Sequence, residues 1–152
     1  MSAEFRCNCP ITSAIDLMGD KWSLVVVKNM LLYNQKTFKE LLEANENIAT
    51  NILSSRLKAL EKNGFITKTK PANNKKTNIY LLTEKGLSLI PIIVELALWG
   101  DANIQITSSQ EAENGQIDAI NNDKESFIKN LKKSYKENTK KEIGRRARPA
   151  SH

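Results

Sequence analysis

Apolar positions fall at helical spacing up to about residue 63, then alternate, then return to a helical run. Pro10 follows two cysteines and suits the first turn of a helix, where its missing N–H costs nothing. Ile11, Ile15 and Leu17/Met18 give that helix an apolar face, and Gly19 ends it. Asp20 reads as the N-cap of a second helix, KWSLVVVKNMLLY, whose run from Trp22 to Leu32 is apolar nearly all round and belongs in the core. Three consecutive valines also suit a strand, but the length and the cap favour helix. Thr37 and Glu40 make a capping-box pattern that opens a third helix, TFKELLEA, with Phe38, Leu41 and Leu42 inward. After the turn NENI, the fourth helix, ATNILSSRLKALEKNG, sets Ile52, Leu53, Leu57 and Leu60 on one face and closes at Gly64.

From Phe65 to Leu82 the pattern is that of a β-hairpin, with Pro71 and Asn73-Asn74 at its turn. Tyr80 and Leu82 share one face with Asn78, and Ile79 and Leu81 share the other. Thr83 caps a last helix, TEKGLSLIPIIVELALWG, which Pro91 is expected to kink. That helix is apolar on most sides. Leu89, Ile92, Ile93, Leu96 and Trp99 are therefore expected to be buried against a second copy of the chain. Beyond Ile106 the composition turns polar and reads as a linker, in which Phe127, Ile128, Leu131 and Tyr135 supply one short amphipathic helix. Two helices followed by a hairpin predict an α+β, mostly α fold: a winged helix-turn-helix with flanking dimerisation helices. The expected boundaries are 1–106 for that domain, 107–144 for the linker and short helix, and 145–152 for an atypical tail.

Charge sharpens the picture. The 152 residues are 40% hydrophobic and 26% charged, ordinary values for a soluble protein. No apolar run approaches the ~20 residues that span a bilayer, and the N-terminus lacks a signal-peptide pattern. A cytoplasmic protein without a membrane partner is expected. The formal net charge is +6, but half of it belongs to Arg145, Arg146 and Arg148 in the closing RRARPASH, which reads as foreign to the rest. Between Glu46 and Lys76, seven Lys or Arg stand against two Glu. Such an excess either favours polyanions through counterion release or is only a solvated face.

At the start of the fourth helix, Thr50, Asn51, Ser54, Ser55 and Arg56 are the side-chain types that read base edges, and Lys58 follows. Asn pairs with adenine and Arg with guanine, each good bidentate pair giving roughly 1–3 kcal/mol of discrimination. Lys68, Lys70, Lys75 and Lys76 on the hairpin would hold phosphates without reading sequence. Ser54 and Ser55 are equally read as exposed polar positions. Cys9, directly before a helix start, is expected to be thiolate-like, with Arg6 adding to the effect; the alternative is a small buried hydrophobe. Cys7 and Cys9 are too close for an unstrained disulfide. With the single His at position 152, they supply no metal site. No Gly-rich phosphate loop, internal His or carboxylate pair points to catalysis or a cofactor. The nearest enzymatic idea is a thiol peroxidase built on Cys9.

These residues carry a resemblance. Cys9-Pro10, Gly19-Asp20-Lys21-Trp22, Phe38 with Glu40-Leu41, Ile48 ahead of ATNILSSRLKALEKNGFI, Tyr80-Leu81-Leu82-Thr83 with Glu84 and Gly86, Pro91, and Trp99-Gly100 occur in order. Together they resemble the HxlR family of bacterial transcriptional regulators, relatives of the MarR winged-helix proteins. The likeness covers the first two-thirds of the chain. It implies a homodimer joined through the first helix, at Ile11 and Ile15, and the last. The dimer would bind double-stranded DNA with a two-fold operator. Some members sense oxidants or electrophiles through the cysteine that Cys9 matches, and Cys7 is an addition to that pattern. The expected function is a homodimeric, sequence-specific transcriptional regulator. The rival is a winged-helix module that binds protein and not DNA.

Overall fold

The computed structural model describes residues 4–71, 73–74, 76–105 and 111–147, the side chains of 111–114 and 146–147 aside. Helix α1 is Pro10–Met18, with Pro10 at its first position and Gly19 at its C-cap. Helix α2, Ser23–Tyr33, begins two residues later than the cap pattern suggested. Asp20 still accepts from the Trp22 and Ser23 amides at 2.9 Å each, so it satisfies the first orphan donors from one turn further out. The valine run is helical, and Val26, Val27, Met30 and Leu31 are buried. Asn34 ends α2 in the left-handed region.

Helix α3, Phe38–Leu42, opens with the expected capping box: the Glu40 amide donates to Thr37 Oγ1 at 3.2 Å and the Thr37 amide to Glu40 Oε2 at 3.1 Å. Helix α4, Thr50–Lys62, buries Leu53, Leu57 and Leu60, while Ile52 is half-buried. Gly64 follows at φ +80°, a conformation that costs a side chain strain. Its turn leads into β1, Ile66–Thr69, which pairs antiparallel with β2, Ile79–Leu82, in the register Ile66↔Leu82. Ile79, Tyr80 and Leu82 are all buried and Leu81 is half-buried, so both faces of β2 are covered. Its outer edge is covered too, since the Tyr80 amide donates to the Lys36 carbonyl at 2.7 Å and the Leu82 amide to Tyr135 Oη at 2.8 Å.

Three expectations need correction. The last apolar helix is divided into α5, Glu84–Leu87, and α6, Ile90–Asn103. Pro91 therefore stands in the first turn of α6, where its missing N–H removes no bond, and starts a helix rather than kinking one. Gly86 in α5 packs so closely that a Cβ would lie 2.2 Å from the Phe65 carbonyl oxygen. By length and composition Glu84–Asn103 is apolar enough to cross a membrane, against the expectation; here it breaks at Ser88–Leu89 and buries Ile90 and Val94 in the core.

The supposed linker carries two helices, α7, Glu111–Asn122, and α8, Lys124–Ala147. Asp123 caps α8 by accepting from the Ser126 amide at 3.1 Å and its hydroxyl at 2.8 Å. Ile120 and Tyr135 join the core, with Ile117, Phe127, Ile128 and Leu131 half-buried. Sparse apolar residues at helical spacing suffice here because α2 and α6 supply the rest of the buried surface. Arg145 continues α8, and residues 148–152 lie outside the described chain.

Tyr135 is the main polar tie between α8 and the hairpin. Replacing it with Phe orphans the Leu82 amide, which is expected to cost about 1–3 kcal/mol. Urea unfolding of Tyr135→Phe should show a lower midpoint at unchanged slope.

Candidate nucleic-acid interface

With Leu53, Leu57 and Leu60 inward, the opposite face of α4 must face water. Asn51, Ser55 and Lys58 lie along it at i, i+4 and i+7, all exposed, with Thr50 exposed at the helix start and Ser54 half-buried. Arg56 departs from this group. It is turned to the side and half-buried, its guanidinium donating to Ser55 Oγ at 3.1 Å and facing Asp20 Oδ2 at 3.4 Å. Asp20 was read only as a cap; it is also the residue that positions Arg56. Burial pushes the Asp20 carboxyl up, but the Ser23 hydroxyl, the Trp22 and Ser23 amides and Arg56 outweigh it and hold it below the usual range.

A second anchor sits at the turn before α4, and nothing in the pattern pointed to it. Glu46 bonds the Lys28 ammonium and accepts from Asn29 Nδ2 at 3.2 Å, tying this turn to α2. Burial opposes the ionised Glu46, and Lys28 and Asn29 reverse that, leaving its carboxyl below the usual range. Asn29 is buried, so the tie is partly shielded from water.

On the hairpin, Thr67, Lys68, Thr69 and Lys70 are exposed. Asn74 organises the tip: its amide donates to the Pro71 carbonyl at 3.2 Å, its Oδ1 accepts from the Lys76 amide at 3.1 Å, and its Nδ2 meets Thr77 Oγ1 at 3.1 Å. Lys76 is exposed. Lys75 lies outside the described residues.

Among the residues assigned to a dimer face, Ile11 (72% exposed) and Ile15 share one face of α1, and Ile92, Leu96 and Trp99 (62% exposed) recur at i, i+4 and i+7 on α6. Ile93 is half-buried. Leu89 is a correction: it is 3% exposed and belongs to the core of its own chain, because the α5–α6 break turns it inward.

Cys9 is exposed at the N-cap of α1. The Thr12 amide, then its hydroxyl and the Ile11 amide, hold the thiol below its ordinary range. The Cys9 amide donates to Cys7 Sγ at 3.4 Å. Arg6 does not help, contrary to expectation, because its guanidinium is committed to Asp16 at 2.6 Å. Among the described residues no group of three His, Cys, Asp or Glu could hold a metal.

The model of the HxlR-like helix-turn-helix family matches residues 17–108, from the end of α1 to beyond α6. This chain belongs to that family. It is a family of transcriptional regulators, not of enzymes. The HTH-type transcriptional regulator YodB of Bacillus subtilis is 34% identical over 94 residues, 61% of this chain and 83% of YodB. The reduced form of YodB superposes with a TM-score of 0.53 at 31% identity, covering 65% of this chain and 97% of that one. The redox regulator HypR in its oxidised form gives 0.57 at 27% identity, covering 64% and 100%. These are winged-helix regulators, as the helix, helix, hairpin order implied. Helix α8 and the Cys7–Cys9 pair lie outside the family match.

Two outcomes follow from this geometry. Asp20→Ala should lower stability at neutral pH by about 0.5–2 kcal/mol through the lost cap. Because the folded-state pKa of Asp20 is depressed, its contribution is complete above the unfolded value of about 3.9. It is lost as pH falls through the lower folded value, so wild type and variant should converge in acid unfolding. In a Cys7→Ser chain, Cys9 should alkylate with iodoacetamide at a lower pH midpoint than a free thiol does, as read by mass spectrometry of the intact chain; a midpoint equal to the free thiol's would contradict the helix-start effect.

Proposed function

We propose that the chain is a homodimeric, sequence-specific DNA-binding regulator whose α4 enters the major groove while the hairpin lies on the phosphate backbone. The observation that carries this reading is the exposed polar face of α4, Thr50, Asn51, Ser55 and Lys58, backed by buried leucines and followed by a hairpin bearing Lys68, Lys70 and Lys76. Two copies joined through Ile11, Ile15, Ile92, Leu96 and Trp99 would present two such helices about 34–36 Å apart, one turn of DNA. A protein-binding role for α4 would call for apolar anchors on that face, and it offers none.

Control through Cys9 is a second part of the reading. It is supported by an exposed thiol of lowered pKa on the same helix as Ile11 and Ile15. YodB has been solved in reduced, quinone-bound and diamide-treated forms, and HypR is described as a redox regulator. Oxidation or alkylation of Cys9 would alter the start of α1 and hence the dimer contact.

Selection of bound sequences from random duplexes, with and without oxidant, tests both parts. Asn51→Ala should relax base preference by roughly 1–3 kcal/mol at one position. Lys68→Ala should weaken all sequences alike and lower the salt slope by about one for each copy of the dimer. A monomer in sedimentation at micromolar concentration would contradict the dimer.

A further inference from the structure

Helix α8 carries nine Lys or Arg against three Glu, in a segment that the family match does not reach. It is fixed to the body of the protein. Tyr135 holds the Leu82 amide, Lys132 and Lys136 hold Glu84 at 3.1 and 2.5 Å, and Lys124 holds Glu95 at 2.5 Å. Its last turns face the start of α3 across a cleft. Asn138, Lys141, Glu142 and Arg145 line a cleft of about 400 Å³ together with Asn34, Lys36 and Glu40 around the start of α3.

Helix α3 is the first helix of the motif, and in this arrangement the first helix crosses the DNA backbone while the second enters the groove. Whatever packs beside the start of α3 is therefore brought toward the same phosphate strand. The carboxylates of the cleft are already engaged. Glu40 caps α3 by accepting from the Lys36 and Thr37 amides, and Glu142 pairs with Arg145 at 2.8 Å. Lys140 and Lys141 are exposed, and among the described residues neither has a carboxylate at ion-pair distance.

We propose that Lys140 and Lys141, at the end of α8, form a second phosphate-contacting element that grips duplex DNA beside α3, outside the bases read by α4. This rests on the reading that α4 and the hairpin bind DNA. The contact is sequence-independent and electrostatic, so it adds affinity and footprint without changing base preference.

The test is a salt titration of the full chain on a duplex of about 40 base pairs, with Lys140→Gln/Lys141→Gln compared with Lys68→Gln/Lys70→Gln. Each lysine that contacts a phosphate contributes about 0.9 to the slope of log Kd against log salt. The two copies of the proposed dimer carry four such lysines, so a fourfold rise in salt should weaken wild type on the order of 100-fold more than the Lys140→Gln/Lys141→Gln chain. Lys140→Arg/Lys141→Arg should keep the wild-type slope, and its loss there would overturn an electrostatic contact. A steep wild-type slope that the hairpin pair lowers and the α8 pair leaves unchanged overturns this proposal alone. A wild type indifferent to DNA overturns the DNA reading beneath it. Capture of wild type by phosphatidylglycerol vesicles, with the DNA slope of the α8 pair unchanged, would assign the lysines to a lipid surface instead.

Discussion

The azimuth of α4 is set by three leucines. Leu53, Leu57 and Leu60 are each 3% exposed or less, and each contributes roughly 1.5–3 kcal/mol by leaving water. A rotation of α4 by half a turn would surrender all three and bury Asn51, Ser55 and Lys58 without partners, a cost far above the net stability of a domain this size. The polar face is therefore outward as a consequence of core packing. The Glu46 tie to Lys28 and Asn29 then fixes the start of the helix against α2, and Asp20 fixes Arg56 at its flank. The candidate surface is held from behind by buried leucines and at its start by the half-buried Glu46, while Asn51, Ser55 and Lys58 are solvated.

The same division of labour extends to the hairpin. A two-stranded sheet is marginal alone, and here its inner strand leans on the core at one edge through Lys36 and Tyr135. Tyr135 comes from a helix that is mostly charged. Its burial pushes the phenol pKa up, so the hydroxyl stays neutral and accepts the Leu82 amide without bringing a charge into the core. The Lys132 and Lys136 pairs with Glu84 are largely solvated and add little beyond register. A strand edge that would otherwise invite another chain is thereby closed by the chain's own extension.

What was legible in the residues is what local chemistry decides. Thr37 and Glu40 cap a helix wherever the backbone turns, Gly64 accepts a left-handed conformation, and a leucine stripe at i, i+4 and i+7 finds the core in any packing. The misread features depend on partners distant in sequence. Pro91 reads as a kink until the break at Ser88–Leu89 places it in a first turn. Leu89 reads as a dimer residue until that break turns it inward. Arg6 reads as an aid to the Cys9 thiolate and Arg56 as a base-reading side chain until Asp16 and Asp20 claim them. Helix α7 reads as linker, and α8 as only a short helix, because their polarity outweighs the few apolar side chains, which matter only when α2 and α6 already offer a surface. The short helix read from Phe127, Ile128, Leu131 and Tyr135 falls within α8, and the Asp123–Ser126 cap marks a start that the reading did not place.

Magnitudes constrain how Cys9 could act on DNA. A tenfold change in affinity requires about 1.4 kcal/mol. The short route from α1 to α4 runs through Gly19 and Asp20 and then across the ion pair to Arg56, a half-exposed contact at 3.4 Å worth at most about 1 kcal/mol. Breaking it would release Arg56 at the flank of α4 and leave Asn51, Ser55 and Lys58 where they are. The apolar face is the stronger lever, because Ile11 lies two residues from Cys9 and each large side chain buried in a dimer contributes roughly 1.5–3 kcal/mol. Displacing Ile11 and Ile15 in both copies would change the spacing of the two α4 helices. Two half-sites one turn apart tolerate little such change. On the proposed dimer, a thiol at the start of α1 would therefore act through the geometry of the pair rather than through α4 itself.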